Sequence, residues 1–578
     1  MLKFDHVAFK QQFPLFSQPA NQALTYFDNA ATTQKPQVVI DAIVNFYLTQ
    51  NSNANRASHR LARQATAVLE QTRTKLAHWL GGHHSEIVFT RGATESLNLV
   101  AFGLAPTLQA GDMILISRAE HHANFLPWQR LCAQHKLDLV LIPDHDGVPD
   151  ISAIPKLLSA RTKIVALTLA SNLLGCRLRL ETIATTLAAH PASVVIDATQ
   201  ALAHEQLDVQ ALGCDFLVGS AHKCYGPLGI GFLYGRKTKL SMLEPMQLGG
   251  DMVNTVSVTT ASFAPSPHRF EAGTLALGDI AAFGACIDFL QQQNRAAMRT
   301  HETSLLHLLH CELSQICTLR MISKPEHNIG IVAFVLDPPQ ALRATVLPDL
   351  SDLALWLDEH DIAVRVGSHC AQPLCQYLGI EQVLRLSIAA YNNEVDCYRA
   401  IAAIKHWLAL FYDLTPAAPQ QRASVAMRPA TVIDVNNIET IEPLYRAHNW
   451  QTRYRALLQL GSQLPLQPNL QQAEYLLTGC ETRTWIAHNC CEGKHFFAIE
   501  SASKVNRGLG AIILYWFNGK TYQTMLALDW QAECERLELT RHLSASRANG
   551  LKLLVHRALE LARVANEADV EPPADSLP

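Results

Sequence analysis

The 578-residue sequence lacks several features that would each point to a particular class of protein. It has no apolar run long enough to span a bilayer, and its first residues lack the apolar core of a signal peptide. The net charge is only −4 and the basic residues form no long stripe, which argues against nucleic acid binding. The 14 cysteines show no paired CxxC spacing, so we expect neither a zinc site nor a disulfide framework. These absences predict a cytoplasmic protein without membrane, nucleic acid or metal.

Short apolar runs alternate with helix-length segments over the first half of the chain. We predict strands at residues 87–90, 113–117, 137–143, 163–170, 194–197, 216–220 and 230–234. This alternation predicts an α/β fold with a mainly parallel sheet that helices cover on both faces. The length of the chain also exceeds that of one ordinary domain.

The ends of two of these runs carry polar residues. The run at 194–197 ends in Asp197, and the run at 216–220 is followed by His222 and Lys223. Pyridoxal 5'-phosphate (PLP) requires a lysine for a Schiff base, an acid that keeps its pyridine nitrogen protonated, and donors for its phosphate. Open α/β sheets bind ligands at the carboxyl ends of their strands. Alone, Asp197 is better explained as a helix cap and Lys223 as an exposed loop lysine, but the combination predicts a PLP site.

Further motifs follow one another along the chain. They are YFDNAATTQKP at 26–36, TRGATESLN at 90–98, EHHAN at 120–124, SNLLG at 171–175, FEAGT at 270–274, RVGSHCAQP at 365–373 and RLS at 385–387. Their order and spacing resemble the class V, fold type I PLP enzymes and, within them, the cysteine desulfurases of the SufS and CsdA kind. The resemblance covers roughly the first seven tenths of the chain.

The resemblance implies a PLP fold type I domain over residues 1–412. A mainly parallel seven-stranded sheet would form its large part, at about 20–265, and a small α+β part would take about 266–412 with the N-terminus. The family is usually a homodimer with sites at the subunit interface. In that arrangement Thr274 would reach the phosphate in the neighbouring subunit.

The resemblance also assigns the other cofactor contacts. Phosphate would be held by Ala93, Thr94, Ser220 and His222, His121 would stack on the pyridine ring, and Asn172 and Gln200 would approach the ring hydroxyl. For residues 92–94 alone, an ordinary helix cap explains the sequence at least as well. We interpret His122 as a loop histidine outside the site.

Cys370 makes the expected chemistry specific. A protein persulfide requires a thiolate that attacks the substrate sulfur, and Cys370 is that nucleophile in the resemblance. Arg385, with Asn172 and the assisting Arg365, would bind the substrate carboxylate. The alternative is that Cys370 is one more buried cysteine.

Two positions depart from the family pattern. Asn55 and Ser368 stand where relatives often carry histidine, so the proton-transfer roles stay open. Lys223 can itself act as the base at the substrate Cα.

The composition changes near residue 410, and 413–432 is expected to be a linker. The motifs that follow are WQTRY at 450–454, LG at 460–461, GCETRTWI at 479–486, RGL at 507–509 and LSASRANGL at 543–551. They resemble the SufE and CsdE sulfur acceptors, which implies an α+β acceptor domain at 433–568. Residues 569–578 are expected to be a disordered tail.

Cys480 is the candidate acceptor thiol because it follows a glycine in a predicted loop before a strand at 484–487. The family more often has Gln-Ser-Gln after this cysteine, where this chain has Glu-Thr-Arg at 481–483. Cys490 and Cys491 form a rival pair that would relay or resolve a persulfide. Their expected place in a hairpin turn favours an ordinary structural role.

The two resemblances together imply that L-cysteine becomes L-alanine, with a persulfide on Cys370 whose sulfur passes to Cys480. A linker of about 20 residues spans roughly 25 Å and gives an effective concentration of order mM. Partners would be L-cysteine, a second subunit and a downstream acceptor or iron–sulfur scaffold protein. Two alternatives remain: a selenocysteine lyase or other class V enzyme, whose turnover would survive Cys370→Ala, and a non-enzymatic scaffold, which would show no cofactor absorbance.

Overall fold

The computed structural model describes residues 4–55, 58–339, 349–411, 438, 440–448, 450–465, 467–478, 483–501, 503–539, 543 and 545–568. Cys480, the expected linker and the expected tail lie outside these residues. The chain divides into two compact units. The first comprises Met1–Asp337 and Asp361–Ala402, and the second comprises Pro338–His360 and Ala403–Pro578.

The first unit contains strands β1 to β17. They are β1 (Thr25–Tyr26), β2 (Ile87–Thr90), β3 (Met113–Ile116), β4 (Asp138–Leu141), β5 (Asp144–His145), β6 (Val148–Pro149), β7 (Thr162–Thr168), β8 (Ser193–Asp197), β9 (Phe216–Ser220), β10 (Gly231–Gly235), β11 (Val253–Val256), β12 (Ala261–Phe263), β13 (Leu319–Met321), β14 (Ile331–Leu336), β15 (Ile362–Ala363), β16 (Arg365–Gly367) and β17 (Val383–Ser387). Each of the seven predicted strands is found, with end positions that differ by a few residues.

The helices are numbered through both units. They are α1 (His6–Gln11), α2 (Gln37–Asn45), α3 (Arg60–Leu80), α4 (Ala93–Leu104), α5 (Leu126–His135), α6 (Ile154–Leu157), α7 (Ala184–Ala189), α8 (Val209–Leu212), α9 (Lys237–Leu240), α10 (Leu277–Gln291), α11 (Arg295–Ser314), α12 (Leu350–Asp358), α13 (Gln372–Tyr377), α14 (Glu394–Phe411), α15 (Glu442–Arg446), α16 (Trp450–Gln463), α17 (Lys504–Phe517), α18 (Tyr522–Ala527), α19 (Trp530–Arg536) and α20 (Ala545–Ala568). Within the described residues, no helix combines the length and the apolar character that a membrane crossing requires.

A seven-stranded sheet with the order β2-β10-β9-β8-β7-β3-β4 lies at the centre of the first unit. Six strands run in one direction and β10 runs against them, which confirms the mainly parallel sheet. Both faces are covered: Val194 and Ile196 pack into one apolar cluster, whereas Val195 packs into another. Strands buried on both faces have continuous apolar sequences, which is why these runs were recognisable.

A smaller antiparallel sheet, with the order β13-β14-β17-β16, follows later in the same unit. In it Arg365 on β16 lies directly opposite Arg385 on β17. The short strand β1 pairs in parallel with β15, so the N-terminal segment lies beside this part of the chain. The pairing of β1 with β15 and a bridge from Asp28 to Ser387 on β17 therefore bring residues 25–28 close to two arginines that follow them by more than 300 positions.

The second unit combines helices with a two-stranded hairpin, β18 (Thr484–Cys491) and β19 (Lys494–Ser501). Helices α16 and α17 cross closely, because a Cβ on Gly461 would collide with the carbonyl oxygen of Lys504 and one on Gly508 with that of Leu457. Small residues at these positions permit the two backbones to approach. The sequence placed Cys490 and Cys491 in the hairpin turn, and this was wrong. They are the last two residues of β18, and Glu492 and Gly493 form the turn.

Helix α12 contributes a buried acid to the second unit. Asp352 is fully buried, and its Oδ1 accepts from the Arg547 guanidinium at 2.8 and 3.1 Å. Its Oδ2 accepts from the Ser503 hydroxyl at 3.0 Å. Burial raises the pKa of Asp352 to about 6, although Arg547 favours the charged form. The pair fixes α12 against α20 and the start of α17.

Candidate active site

The carboxyl ends of the parallel strands open into a cavity of about 330 Å³ in the first unit. Its lining combines small apolar residues with polar and charged ones. The lining residues are Ala30, Ala31, Ala93, Thr94, His121, Ala123, Thr168, Ala170, Asn172, Asp197, Thr199, Gln200, Ser220, His222, Lys223, Arg365, His369, Cys370 and Arg385. Of the predicted site residues that the structure describes, all line this cavity except Thr274.

Asp197 is the last residue of β8, between Thr168 on β7 and Val218 on β9. Its side chain is buried, and Oδ1 accepts a hydrogen bond from the Thr199 backbone N–H at 3.0 Å. The neighbouring Gln200 donates to the Ala30 carbonyl at 2.9 Å. The carboxylate is thereby held at the strand end facing the cavity.

One corner of the cavity is built to receive an anion. Ser220 ends β9, and its hydroxyl accepts from the backbone N–H of Ala93, the first residue of α4, at 2.8 Å. The backbones approach closely there, because a Cβ on Gly231 would lie 2.5 Å from the Cα of Gly92. A helix N-terminus with a hydroxyl and an imidazole beside it suits a phosphate group.

Lys223 ends a short 3₁₀ turn that directly follows β9. Its pKa is lowered to about 8, first by burial and then by the Arg385 guanidinium, against the opposing effect of Asp197. A larger fraction of its amine is therefore neutral near physiological pH than for an ordinary lysine. A neutral amine is the nucleophilic form.

The N-terminal motif anchors this turn through one backbone carbonyl. The oxygen of His222 accepts from the Thr33 backbone N–H, the hydroxyls of Thr32 and Thr33, and the ammonium of Lys35, all at 3.0 to 3.1 Å. Burial lowers the pKa of Lys35 to about 8. The conformation of the residue that precedes Lys223 is thus fixed by a segment about 190 residues away in sequence.

His121 faces Lys223 across the cavity. Burial and the nearby Lys223 lower its pKa to about 4, so the ring is neutral at physiological pH. Behind it, Glu120 is fully buried and contacts Ser117, Asn124 and the Thr168 backbone N–H at 2.5 to 2.9 Å. Burial raises the pKa of Glu120 to about 8. The sequence motif included Glu120, but sequence reasoning gave it no role.

Asp28 lies between the two cavity arginines. Its carboxylate accepts from Nε of Arg365 at 3.0 and 3.1 Å and from Nη2 at 2.8 Å, and it lies 3.4 Å from Nη2 of Arg385. Arg385 is buried and donates from Nη1 to the Asn172 carbonyl at 2.7 Å, and burial lowers its pKa to about 10. Arg365 is half-exposed and turned towards Asp28. Arg385 is therefore the better placed of the two for a substrate carboxylate.

Cys370 lies exposed at the mouth of the cavity, in a loop with left-handed backbone. His369 and Cys370 have φ values of 51° and 55°. Asn172 Nδ2 donates to the His369 carbonyl at 2.6 Å. The His122 backbone N–H donates to the Cys370 carbonyl at 2.8 Å. The side-chain Nε2 of His122 accepts from the Gln372 backbone N–H at 3.2 Å. His122, which sequence reasoning left out, thus holds the cysteine loop in place.

Three other residues singled out from the sequence lie elsewhere. Thr274 lines a separate cavity of about 350 Å³, with Thr90 and Glu271 among its neighbours. Asn55 is exposed and, within the described part of the chain, does not line the 330 Å³ cavity. The backbone carbonyl of Ser368 accepts from the Ala371 N–H at 2.9 Å, so Ser368 is part of the turn that carries Cys370.

The polar groups of the cavity fit PLP. Among the described residues, five buried polar atoms of the lining have no hydrogen-bond partner: Asn172 Oδ1, Thr199 Oγ1, His222 Nδ1, His369 Nδ1 and Arg385 Nε. Buried polar groups without partners are costly, so they indicate a polar ligand. An anion corner, a buried carboxylate and a lysine with lowered pKa are the three features that PLP uses.

Comparison with known proteins agrees with this arrangement. The Aminotransferase class-V family model matches residues 25–399, and the SufE model, described as an Fe-S metabolism associated domain, matches residues 438–562. A protein named probable cysteine desulfurase from Vibrio cholerae is 42% identical over 408 residues, which cover 70% of this chain and 98% of that protein.

Solved structures give the same result. The crystal structure of the cysteine desulfurase CsdA from Escherichia coli, in an S-sulfonic acid form, is 34% identical with a TM-score of 0.65, and the match covers 71% of this chain and all of that one. The apo cysteine desulfurase from Thermococcus onnurineus NA1 is 32% identical with a TM-score of 0.66, and the match covers 71% of this chain and 99% of that one. The chain therefore belongs to the class-V aminotransferase family, among the cysteine desulfurases, and its residues 438–562 match the SufE domain.

Proposed function

We propose that this chain is a PLP-dependent cysteine desulfurase that converts L-cysteine to L-alanine and retains the sulfur as a persulfide on Cys370. The observation that carries the proposal is one cavity lined by Lys223, Asp197, Arg385 and Cys370. A general PLP enzyme needs the first three, whereas a desulfurase also needs the thiol.

We propose the following roles for the cavity residues in holding PLP. Lys223 would attach it covalently, Asp197 would keep its pyridine nitrogen protonated, and His121 would stack on the ring. The anion corner formed by Ala93, Thr94, Ser220 and His222 would hold its phosphate, and Asn172 and Gln200 would approach its ring hydroxyl. The chemistry that PLP supplies when bound is withdrawal of electrons from the substrate Cα, which weakens the bonds around that carbon.

Arg385 and Lys223 would prepare the substrate. The unpaired Nε of Arg385 offers a charge-assisted hydrogen bond to the α-carboxylate, and the buried environment strengthens it. Once released from the cofactor, the Lys223 amine takes the proton from Cα. Its lowered pKa keeps enough of it neutral to act as a base near neutral pH.

Cys370 would then take the sulfur. Its thiolate attacks the substrate sulfur, a new S–S bond forms, and the Cβ–S bond breaks with its electron pair left on the substrate carbon skeleton. Protonation of that skeleton gives alanine, so one L-cysteine and one thiol yield one alanine and one persulfide. The exposure of Cys370 at the cavity mouth leaves the persulfide accessible to an acceptor.

The second part of the proposal concerns the fate of the sulfur. We infer that the domain at 433–568 accepts it at Cys480 and delivers it onward, with iron–sulfur cluster assembly as the pathway. The match to the SufE family supports this acceptor role. The same proposal includes a cytoplasmic homodimer in which Thr274 completes the partner's phosphate site.

Alanine formation from L-cysteine, together with the cofactor absorbance, tests the desulfurase function. We expect stoichiometric alanine in the wild type, no covalently attached cofactor in Lys223→Ala, and no persulfide or sustained turnover in Cys370→Ser. Cys317→Ala, which removes an exposed thiol that does not line the cavity, serves as the control and should retain activity. Turnover that survives Cys370→Ser would contradict a desulfurase and favour a selenocysteine lyase or another class V activity.

A further inference from the structure

The hairpin of the second unit collects a thiol and two imidazoles on one face. Cys490 on β18 is the direct cross-strand partner of His495 on β19. His488 lies two residues before Cys490 on the same strand, and side chains two positions apart point to the same face. Cys491 points to the opposite face, where Lys494 is its partner.

Cys490 and His495 form the closer of the two kinds of antiparallel pair. The backbone N–H of His495 donates to the Lys520 carbonyl at 2.9 Å, and its carbonyl accepts from the Gly519 N–H at 2.8 Å. Both groups therefore point away from β18. In pairs of this kind the Cα atoms lie about 4.5 Å apart and the side chains are adjacent. The side chains of Cys490 and His495 are consequently cross-strand neighbours on one face of the hairpin.

The two histidines are joined in a way that orients a base. Nε2 of His488 and Nδ1 of His495 are 2.9 Å apart, so one ring donates to the other. His495 is buried, and the His488 ring packs at a tilt against the buried Phe497 with ring centres 4.9 Å apart. Burial and the neighbouring His495 lower the pKa of His488 to about 4, which keeps that ring neutral at physiological pH.

The thiol is within reach of solvent even though the base is not. Cys490 is half-buried, whereas His495 is 1% exposed. Cys490 lies six residues along β18 from Thr484, which corresponds to about 20 Å of strand. The cluster is therefore at the far end of the hairpin from the segment that precedes β18.

We propose that Cys490 is a second sulfur-carrying thiol, with His495 as its general base and His488 as the residue that orients His495. Its co-substrate is a persulfide, R–S–SH. His495 takes the Cys490 proton, and the thiolate attacks the outer sulfur of the persulfide. One S–S bond forms and the donor's S–S bond breaks. The donor leaves as a thiolate that recovers the proton from His495, and no net oxidation takes place.

This site goes beyond the proposed function, which assigns no role to Cys490. The sulfur has two possible sources, a low-molecular-weight persulfide or a persulfide made on this chain. The adjacent Cys491 provides an internal comparison, because it is more exposed but has no imidazole opposite it. A site built for sulfur transfer favours Cys490, whereas simple accessibility favours Cys491.

The test exposes the full-length, reduced protein to glutathione persulfide without L-cysteine and follows the gain of one sulfur atom by peptide mass spectrometry. The rate at Cys490 is measured in Cys491→Ser and the rate at Cys491 in Cys490→Ser. We expect Cys490 to react about tenfold faster at neutral pH. His495→Gln should remove this advantage, and Lys494→Gln, which alters the opposite face, should leave it intact. Equal rates of sulfur gain at Cys490 and Cys491 would overturn the proposal, whatever the histidine variants show.

A second arm replaces glutathione persulfide with L-cysteine on the PLP-loaded protein. A persulfide at Cys490 that is absent from Cys370→Ser would show that the chain's own persulfide is the source of the sulfur. A persulfide at Cys490 only with glutathione persulfide would identify a low-molecular-weight persulfide as the source. If the proposed desulfurase function fails, Cys370 gains no sulfur from L-cysteine in this arm. The rates with glutathione persulfide in the first arm stay unchanged.

Discussion

Two arginines lie opposite each other on neighbouring strands, a placement that is unfavourable without a counter-charge. Asp28 supplies that charge, because it accepts from two nitrogens of Arg365 and lies 3.4 Å from Arg385. We therefore expect the two guanidinium groups to have different roles. Arg365 is paired within the protein, and Arg385 keeps a buried Nε for a ligand.

Substitution of each arginine by lysine should separate these roles. We expect Arg385→Lys to raise KM for L-cysteine about 10- to 100-fold, because a lost charge-assisted hydrogen bond in a buried site costs about 1.5–3 kcal/mol. Arg365→Lys should change KM by less than about threefold, since a half-exposed ion pair contributes little. Steady-state kinetics of alanine formation measures both. Equal increases in KM would show that Arg365 also binds substrate.

The lowered pKa of Lys223 predicts how cofactor attachment depends on pH. Attachment needs the neutral amine, and a lysine with its pKa lowered from 10.5 to about 8 becomes neutral at lower pH. The rate at which apoprotein takes up PLP should rise with pH and level off above about pH 8. Absorbance stopped-flow measures this rate. A rate that still rises steeply between pH 9 and pH 10 would contradict the lowered pKa.

Single residues also show where sequence reasoning ends. The presence of Asp197, Lys223 and Cys370 in one cavity was predictable, because their motifs are recognisable locally. The role of Asp28 was not, because its partners follow it by more than 300 residues and only long-range strand pairing brings them together. His122 was passed over because its contact with the Cys370 loop is also non-local.

The cysteine loop is held by contacts with segments that are distant in sequence. His122 accepts from the Gln372 N–H, and Asn172 donates to the His369 carbonyl. The left-handed backbone at His369 and Cys370 is sparsely populated and needs such support.

Removal of one support should slow sulfur transfer to Cys370. We expect His122→Ala to reduce the rate of persulfide formation about fivefold, which corresponds to the loss of one hydrogen bond of about 1 kcal/mol. Cofactor absorbance should stay unchanged. The exposed His145→Ala is the control and should keep the wild-type rate. A normal rate in His122→Ala would mean that the loop is held by other contacts.

The strands of the large sheet were all predictable, but their order was not. Continuous β-branched runs such as those at Ser193–Asp197 identify buried strands locally. The order β2-β10-β9-β8-β7-β3-β4 depends on pairings between distant segments. The predicted position of the hairpin turn in the second unit was wrong by one or two residues. Cys490 and Cys491 have no strong conformational preference that would mark the end of a strand.

On the scale of the whole molecule, the compact units do not follow the family boundaries. Helix α12 lies within the class-V match at 25–399, yet it belongs to the second unit. The buried pair of Asp352 and Arg547 connects α12 to α20 within that unit. Sequence motifs could not reveal this, because Asp352 and Arg547 belong to different family matches.

Loss of this pair should destabilise the second unit. Arg547→Met leaves a buried carboxylate without its counter-charge, which costs about 3–5 kcal/mol. Arg557→Met removes an exposed pair with Glu560 on the same helix and should cost less than about 0.5 kcal/mol. Tryptophan fluorescence in urea measures the unfolding midpoint of the second unit, because six of the eight tryptophans lie there. They are Trp356, Trp407, Trp450, Trp485, Trp516 and Trp530. Equal unfolding midpoints for the two variants would contradict the role of Asp352.

The path of the sulfur is the central claim, and one measurement tests it directly. The PLP-loaded protein is incubated with L-cysteine, and its persulfides are mapped by peptide mass spectrometry in the wild type, Cys370→Ser and Cys480→Ser. We predict persulfide at both cysteines in the wild type, at Cys370 alone in Cys480→Ser, and at neither position in Cys370→Ser. Persulfide at Cys480 in Cys370→Ser, or its absence from both cysteines when the cofactor is bound, would contradict the account.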